Sequence, residues 1–168
     1  SKCPFCDTQF RGGDRLTIDQ IVGRLDDLSS KVSWVTISGG EPMLQVDRPL
    51  LEAIGHKWSI AIETNGTIEI PQKCAPLIHH LTLSPKMPAS QIKVGRCNTL
   101  KLLYPHPNPE MTPESFDRIM ADERFLQPIT PLGGAAVGPH VDKVVKALIQ
   151  SYPGWRLSMQ IHKLIGVE

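Results

Sequence analysis

The sequence predicts an α/β fold whose strands run parallel in an open or closed barrel. Two observations predict it. Short apolar runs alternate with amphipathic segments along the whole chain, the pattern of strands joined by crossover helices. Short polar strings also follow the apolar runs again and again: Ser38-Gly39-Gly40-Glu41, Glu63-Thr64-Asn65, Ser84-Pro85-Lys86 and Gln127-Pro128. In a parallel sheet the strand C-termini share one edge, and ligands bind there. Four separated polar strings are therefore expected on a single rim.

The elements follow in order. Thr17 to Leu28 is expected to be a helix, because Ile18, Ile21, Val22, Leu25 and Leu28 repeat at helical spacing, with Asp26 and Asp27 outside the stripe. Thr17 and Gln20 fit a capping box. Trp34 to Ile37 reads as a strand, Pro49 to Ile54 as a short helix, and Ser59 to Glu63 as a strand closed by the Asn65-Gly66 turn. Leu81 to Leu83 and Thr99 to Leu103 are further strands. The proline-rich stretch from Tyr104 to Pro113 reads as a loop, and Thr112-Pro113 opens another helix with proline in its first turn. Phe125 to Gln127 is a strand. Pro139 to Ser151 is the longest helix, with Val141, Val144, Val145 and Leu148 on one face. Trp155 to Gln160 is a final strand. Neither an internal repeat nor a linker interrupts the pattern, so residues 1–168 are expected to form one domain.

Composition narrows the function class. Hydrophobic residues make up 40% and charged residues 21% of 168 residues, with a formal net charge of +1, an ordinary globular balance. There is no basic run, so long-range attraction to nucleic acid or an anionic membrane is not indicated. No apolar stretch approaches spanning length. A cytoplasmic protein is expected, with no nucleic-acid or membrane partner. Trp34, Trp58 and Trp155 lie in or beside strands without interleaved basic residues, which reads as packing rather than a stacking platform for bases.

Four cysteines, Cys3, Cys6, Cys74 and Cys97, are too few for a disulfide framework in a chain of this size. Cys74 and Cys97 have no partner at ligand spacing and are read as structural. Cys3 and Cys6 form a C-x-x-C pair that lets both sulfurs turn toward one metal centre. Half of a structural zinc site or a redox dithiol would also use it. The aromatic Phe5 could pack on a flat cofactor such as adenine. In Ser38-Gly39-Gly40-Glu41-Pro42, paired glycines let the backbone approach a ligand, and Glu41 adds a carboxylate suited to an ammonium group. A tight turn with a solvated acid would look the same. His79-His80 resembles a metal pair, yet neighbours on a strand point to opposite faces, and both are read as surface residues.

Taken together, these strings carry a resemblance. A C-x-aromatic-C pair, then a helix, a strand and Gly-Gly-Glu-Pro, resembles a radical S-adenosylmethionine enzyme. Further strings narrow it: Cys6-Asp7-Thr8, Ser38 to Gln45, Glu63 to Thr67, Leu83 to Lys86, Leu126 to Pro128 and Gln160 to Gly166. In this order they are similar to the 7-carboxy-7-deazaguanine synthase family and cover nearly the whole chain. The fold implied is a partial, open radical-SAM-type β/α barrel with a reduced helix complement. The reaction implied is the Mg²⁺-dependent ring contraction of 6-carboxy-5,6,7,8-tetrahydropterin to 7-carboxy-7-deazaguanine with loss of ammonia, a lyase step of queuosine-type 7-deazapurine biosynthesis.

The resemblance also implies roles. Cys3 and Cys6 bind a [4Fe–4S] cluster. The family uses three cysteines, the first upstream of the pair, so the first cysteine, the first strand and some substrate contacts are expected to precede Ser1. Phe5, Gly40, Glu41, Ser84, Pro85, Lys86, Gln127, Pro128, Ile129 and Thr130 bind S-adenosylmethionine, with Lys86 suited to its carboxylate. Thr8 is the protein ligand to Mg²⁺, which keeps waters and takes substrate oxygens for the rest, and Asp7 supports it. Read alone, Thr8 would be a cap or turn residue and Lys86 a surface lysine. Ser38, His162 and Glu168 contact the pterin. The reactive species belongs to the cofactor, so no catalytic side chain is assigned. An external one-electron donor and a homodimer are implied. The alternatives are another radical S-adenosylmethionine enzyme such as a glycyl-radical activase, a zinc-binding adaptor, and a non-catalytic relative that holds S-adenosylmethionine. Cys-Asp-Thr and the Gln160-to-Lys163 string argue against the activase.

Overall fold

The computed structural model describes residues 12–28, 31–129 and 141–161. Helix α1 (Ile18–Leu28) leads into strand β1 (Trp34–Ile37). Helix α2 (Arg48–Gly55) and strands β2 (Ser59–Thr64), β3 (His80–Leu83), β4 (Arg96–Tyr104) and β5 (Met120–Pro128) follow, then helix α3 (Val141–Gln150) and strand β6 (Arg156–Leu157). The strands pair in chain order, β1-β2-β3-β4-β5-β6, and every pairing is parallel. A chain that always steps to the next strand in the same direction has no switch point. It winds as a barrel wall does, here left open. Connections between parallel strands are usually helical, yet α2 and α3 are the only α-helices between strands among the described residues. The β2–β3, β3–β4 and β4–β5 crossovers carry only the 3-10 turns Ala75–Leu77, Ala89–Gln91 and Pro113–Phe116.

Most expected elements stand where the sequence puts them. The α1 capping box forms: Thr17 N–H donates to Gln20 Oε1 at 2.8 Å and Gln20 N–H to Thr17 Oγ1 at 3.3 Å. In α2, Asp47 Oδ1 accepts from Leu50 N at 3.0 Å. Three differences have physical causes. Strands β4 and β5 begin earlier than expected, because backbone pairing in register (Arg96 with Met120, Cys97 with Ala121) carries polar residues into the ladder. The helix expected after Thr112 is only a 3-10 turn. Phe116 and Ile119, both buried, pull the chain into the core before β5 starts. The last strand holds only Arg156 and Leu157, paired with Phe125 and Leu126.

The two faces of the sheet differ. On the face that carries α2, Ile60, Ile62, Leu83, Leu100, Leu102 and Leu126 are fully or almost fully buried. Each such side chain contributes about 1.5–3 kcal/mol relative to exposure. Cys74 and Cys97 belong to this core, as expected of structural cysteines. Burial pushes the Cys97 thiol up to about 11. Trp58 is buried and Trp155 half-buried against Arg124. Trp34 departs from the packing expectation: on β1, an edge strand among the described residues, it is 49% exposed, with the His79 ring edge-on at 6.3 Å. Among the described residues, no helix is long and apolar enough to cross a membrane.

Candidate functional site

The common strand direction brings the polar strings to one edge, as the sequence reading requires. Ser38 and Gly40 follow β1 and are exposed; Ser84, Pro85 and Lys86 follow β3; Gln127, Pro128 and Ile129 lie at the end of β5. Cys3, Phe5, Cys6, Asp7, Thr8, Thr130, His162 and Glu168 lie outside the described residues.

The glycine loop after β1 is held open by its own backbone. Gly39 has φ +131°, a conformation L side chains rarely adopt, and a Cβ there would meet nothing within 4 Å. That leaves space beside bare backbone. Glu41 then fastens the loop to the end of β2. Its Oε1 accepts from Met43 N at 3.0 Å and from Thr64 Oγ1 at 2.7 Å, and its Oε2 accepts from Asn65 N at 2.8 Å. From the sequence, Glu41 is expected to suit a ligand ammonium. The structure gives this carboxylate three protein donors, so its first task is to fix the loop. A carboxylate has about four acceptor positions, and one remains.

The β2 turn is built to receive it. Thr64, buried at the strand end, donates to Glu41 and accepts from Gly66 N at 3.0 Å. Asn65 Oδ1 accepts from Thr67 N and Thr67 Oγ1 at 2.8 and 2.7 Å, closing an Asx turn. Gly66 has φ +77°, and a Cβ there would overlap Leu83 Cδ1. The Asn-Gly signal foretold the turn; the part played by Thr64 carried no signal of its own.

Beyond β3, Lys86 folds back on its own string. Its Nζ donates to Ser84 Oγ at 2.7 Å and to Ser84 O at 3.0 Å. An ammonium and a hydroxyl thus meet at one point of the rim, an arrangement suited to a carboxylate or a pair of hydroxyls. After β4 the rim carries His106, which the sequence reading passed over inside the proline-rich loop. Its Nδ1 accepts from Asn108 N at 3.1 Å. Burial lowers its pKa, and the Lys86 ammonium acts in the same direction. A neutral ring accepting at Nδ1 carries its proton on Nε2. Gln127 Oε1 accepts from Ser158 Oγ at 3.3 Å, tying the end of β5 to the residue after β6.

His79 and His80 form no metal pair. His79 Nδ1 accepts from Ile60 N at 3.1 Å, and His80 Nε2 lies 3.1 Å from Thr99 Oγ1. Among the described residues no group of three or more His, Cys, Asp or Glu could hold a metal ion.

The chain resembles proteins of known activity over nearly its full length. It is 35% identical to the 7-carboxy-7-deazaguanine synthase of Bordetella pertussis, across 98% of this chain and 78% of that protein. It is 32% identical to the enzyme of the same name from Nitratidesulfovibrio vulgaris, across 98% of this chain and 79% of that one. The chain belongs to the 7-carboxy-7-deazaguanine synthase family. No family model matches it. The crystal structure of QueE from Escherichia coli superposes with a TM-score of 0.68 at 21% identity, covering 94% of this chain and 79% of that one. That superposition fixes the fold of this synthase-family chain as the expected partial, open barrel.

Proposed function

We propose that the chain converts 6-carboxy-5,6,7,8-tetrahydropterin to 7-carboxy-7-deazaguanine with loss of ammonia, as a Mg²⁺-dependent radical S-adenosylmethionine lyase in 7-deazapurine (queuosine) biosynthesis. The observation that carries this reading is the 35% identity to a 7-carboxy-7-deazaguanine synthase across 98% of the chain. The rim chemistry supports it. The open backbone at Gly39 admits a ligand closely, and the joined Ser84 hydroxyl and Lys86 ammonium suit its anionic or hydroxylated parts.

On this reading Cys3 and Cys6 hold the [4Fe–4S] cluster; Cys74 and Cys97 are buried in the core and take no part. Gly40 and the remaining acceptor position of Glu41 take the methionyl amine, and Lys86 and Ser84 take further polar groups of S-adenosylmethionine. Pro85, Gln127, Pro128, Ile129 and Thr130 line the same cofactor, and Phe5 lies on its adenine side. Thr8 binds Mg²⁺, supported by Asp7. Ser38, His162 and Glu168 hold the pterin. When bound, the cluster and S-adenosylmethionine supply a 5′-deoxyadenosyl radical, while the protein positions the substrate and keeps water away. The electron comes from an external donor. The reading includes a cytoplasmic homodimer, with residues 1–168 as one radical S-adenosylmethionine core domain.

Titration calorimetry of S-adenosylmethionine into anaerobically purified protein tests the cofactor assignment. Lys86→Met should weaken binding about tenfold, the loss of one charge-assisted contact, whereas Thr8→Ala should bind normally yet need more Mg²⁺ for turnover. Equal affinity in wild type and Lys86→Met would remove the Ser84–Lys86 corner from the cofactor site.

A further inference from the structure

The face of the sheet opposite the leucine core carries one polar row below the rim, flanked on that face by Phe125 above and Ala61 and Ala121 below. Parallel sheets are usually apolar on both faces. Here the register sets Glu63, Thr82, Thr99 and Glu123 in one row across β2 to β5, opposite the buried leucines and isoleucines. Two residues further along β4, Lys101 reaches back across β3, and its Nζ lies 3.3 Å from Glu63 Oε1 and 3.5 Å from Oε2. Adjacent strands lie about 4.8 Å apart, so the pair spans roughly twice that. It differs from the other ion pairs among the described residues. Those join side chains each more than 40% exposed, such as Arg24 with Asp14 or Lys57 with Asp26, whereas Lys101 is 22% exposed. An ammonium drawn out of water on a sheet face costs stability unless it is well paired, yet both contacts are long for a charge-assisted bond.

The pair therefore keeps spare capacity. The ammonium has three donors and the carboxylate about four acceptor positions. Side by side on the open face, they offer an acceptor next to a donor, directly below Thr64 and Asn65 of the rim. The matching ligand chemistry is the amide edge of an aminopyrimidinone ring. Its ring N–H and exocyclic amine donate to a carboxylate, and its adjacent carbonyl accepts from an ammonium. We propose that Glu63 and Lys101 read this edge of the bicyclic substrate and set its orientation on the sheet face. The inference rests on the proposed function and adds specificity-determining residues to it.

The test measures equilibrium binding of 7-carboxy-7-deazaguanine and of S-adenosylmethionine to the anaerobically purified full chain, with melting temperatures alongside. Glu63→Gln and Lys101→Met should each weaken binding of the deazaguanine about tenfold or more, with S-adenosylmethionine affinity unchanged within about twofold and Lys101→Arg intermediate. The 6-amino analogue, 7-carboxy-7-deazaadenine, inverts the amide edge; it should bind wild type poorly and lose little further in the variants. If the variants bind the deazaguanine as wild type does and only melt lower, the pair is structural and the inference falls while the function stands. If wild type binds S-adenosylmethionine but not the deazaguanine, the function falls and the inference with it.

Discussion

Replacing Glu41 by alanine removes the acceptor for three donors at once: Met43 N, Thr64 Oγ1 and Asn65 N. Hydrogen bonds to an ionised group contribute about 1.5–3 kcal/mol each. Glu41 is only half-buried and water can re-enter the loop, so the three do not add in full. Thr64, however, is 2% exposed and Met43 7% exposed, and their donors are the slowest to find water. The expected loss is about 3 kcal/mol. For a chain of this size that lowers the melting temperature by roughly 6–12 °C. Glu41→Gln keeps one acceptor oxygen but turns an amide N–H₂ toward a donor, and should fall between wild type and alanine. Urea unfolding followed by circular dichroism gives the free energies, and hydrogen exchange at Asn65 N reports the loop itself. Glu41→Ala melting within about 1 °C of wild type, with Asn65 N still protected, would refute the claim that this carboxylate fastens the loop to β2.

Gly66→Ala should destabilise by roughly 2–4 kcal/mol, combining the left-handed backbone cost with overpacking, since its Cβ would overlap Leu83 Cδ1 and lie 3.1 Å from Ile92 Cγ2; an unchanged urea midpoint would contradict this. The folded-state pKa of Cys97 is raised from 9.0 to about 11, so its neutral form is favoured in the fold. Its contribution is complete below about pH 9 and lost as pH rises through about 11. Cys97→Ala should flatten that part of the stability profile, and parallel wild-type and mutant profiles would show that the thiol does not titrate there. In the folded protein Cys74 and Cys97 should resist iodoacetamide at pH 8 and react only on unfolding, read by peptide mass spectrometry; rapid native labelling of either would contradict their core placement.

The strands and the rim were legible in the sequence because each rests on local information. Apolar runs bounded by glycine, proline and polar strings mark parallel strands and their ends, and β1 falls on the expected residues, Trp34–Ile37. What stayed hidden depends on partners far along the chain. The early starts of β4 and β5 are set by register, and their first residues are polar: Arg96 and Asn98 in one, Asp122 and Glu123 in the other. The extent of β6 is likewise a matter of pairing, with only Arg156 and Leu157 in register with Phe125 and Leu126 of β5. At the rim, the glycine loop and the Ser84–Lys86 corner were read from short motifs. The engagement of Glu41 by Thr64 and the Lys101–Glu63 pair were not, because they join residues 23 and 38 positions apart. Lys101 between Leu100 and Leu102, both buried, was the available sign that this part of the sheet turns a polar side chain to its other face.

Turnover tests the central claim most directly. The full-length protein, purified anaerobically and with its cluster reconstituted, is incubated with dithionite, S-adenosylmethionine, Mg²⁺ and 6-carboxy-5,6,7,8-tetrahydropterin, and the products are followed by mass spectrometry. The account predicts 7-carboxy-7-deazaguanine and ammonia in equal amounts, stimulated by Mg²⁺ and abolished in Cys6→Ala. Protein that holds about four irons per chain and binds S-adenosylmethionine, yet leaves the pterin unchanged, would contradict it.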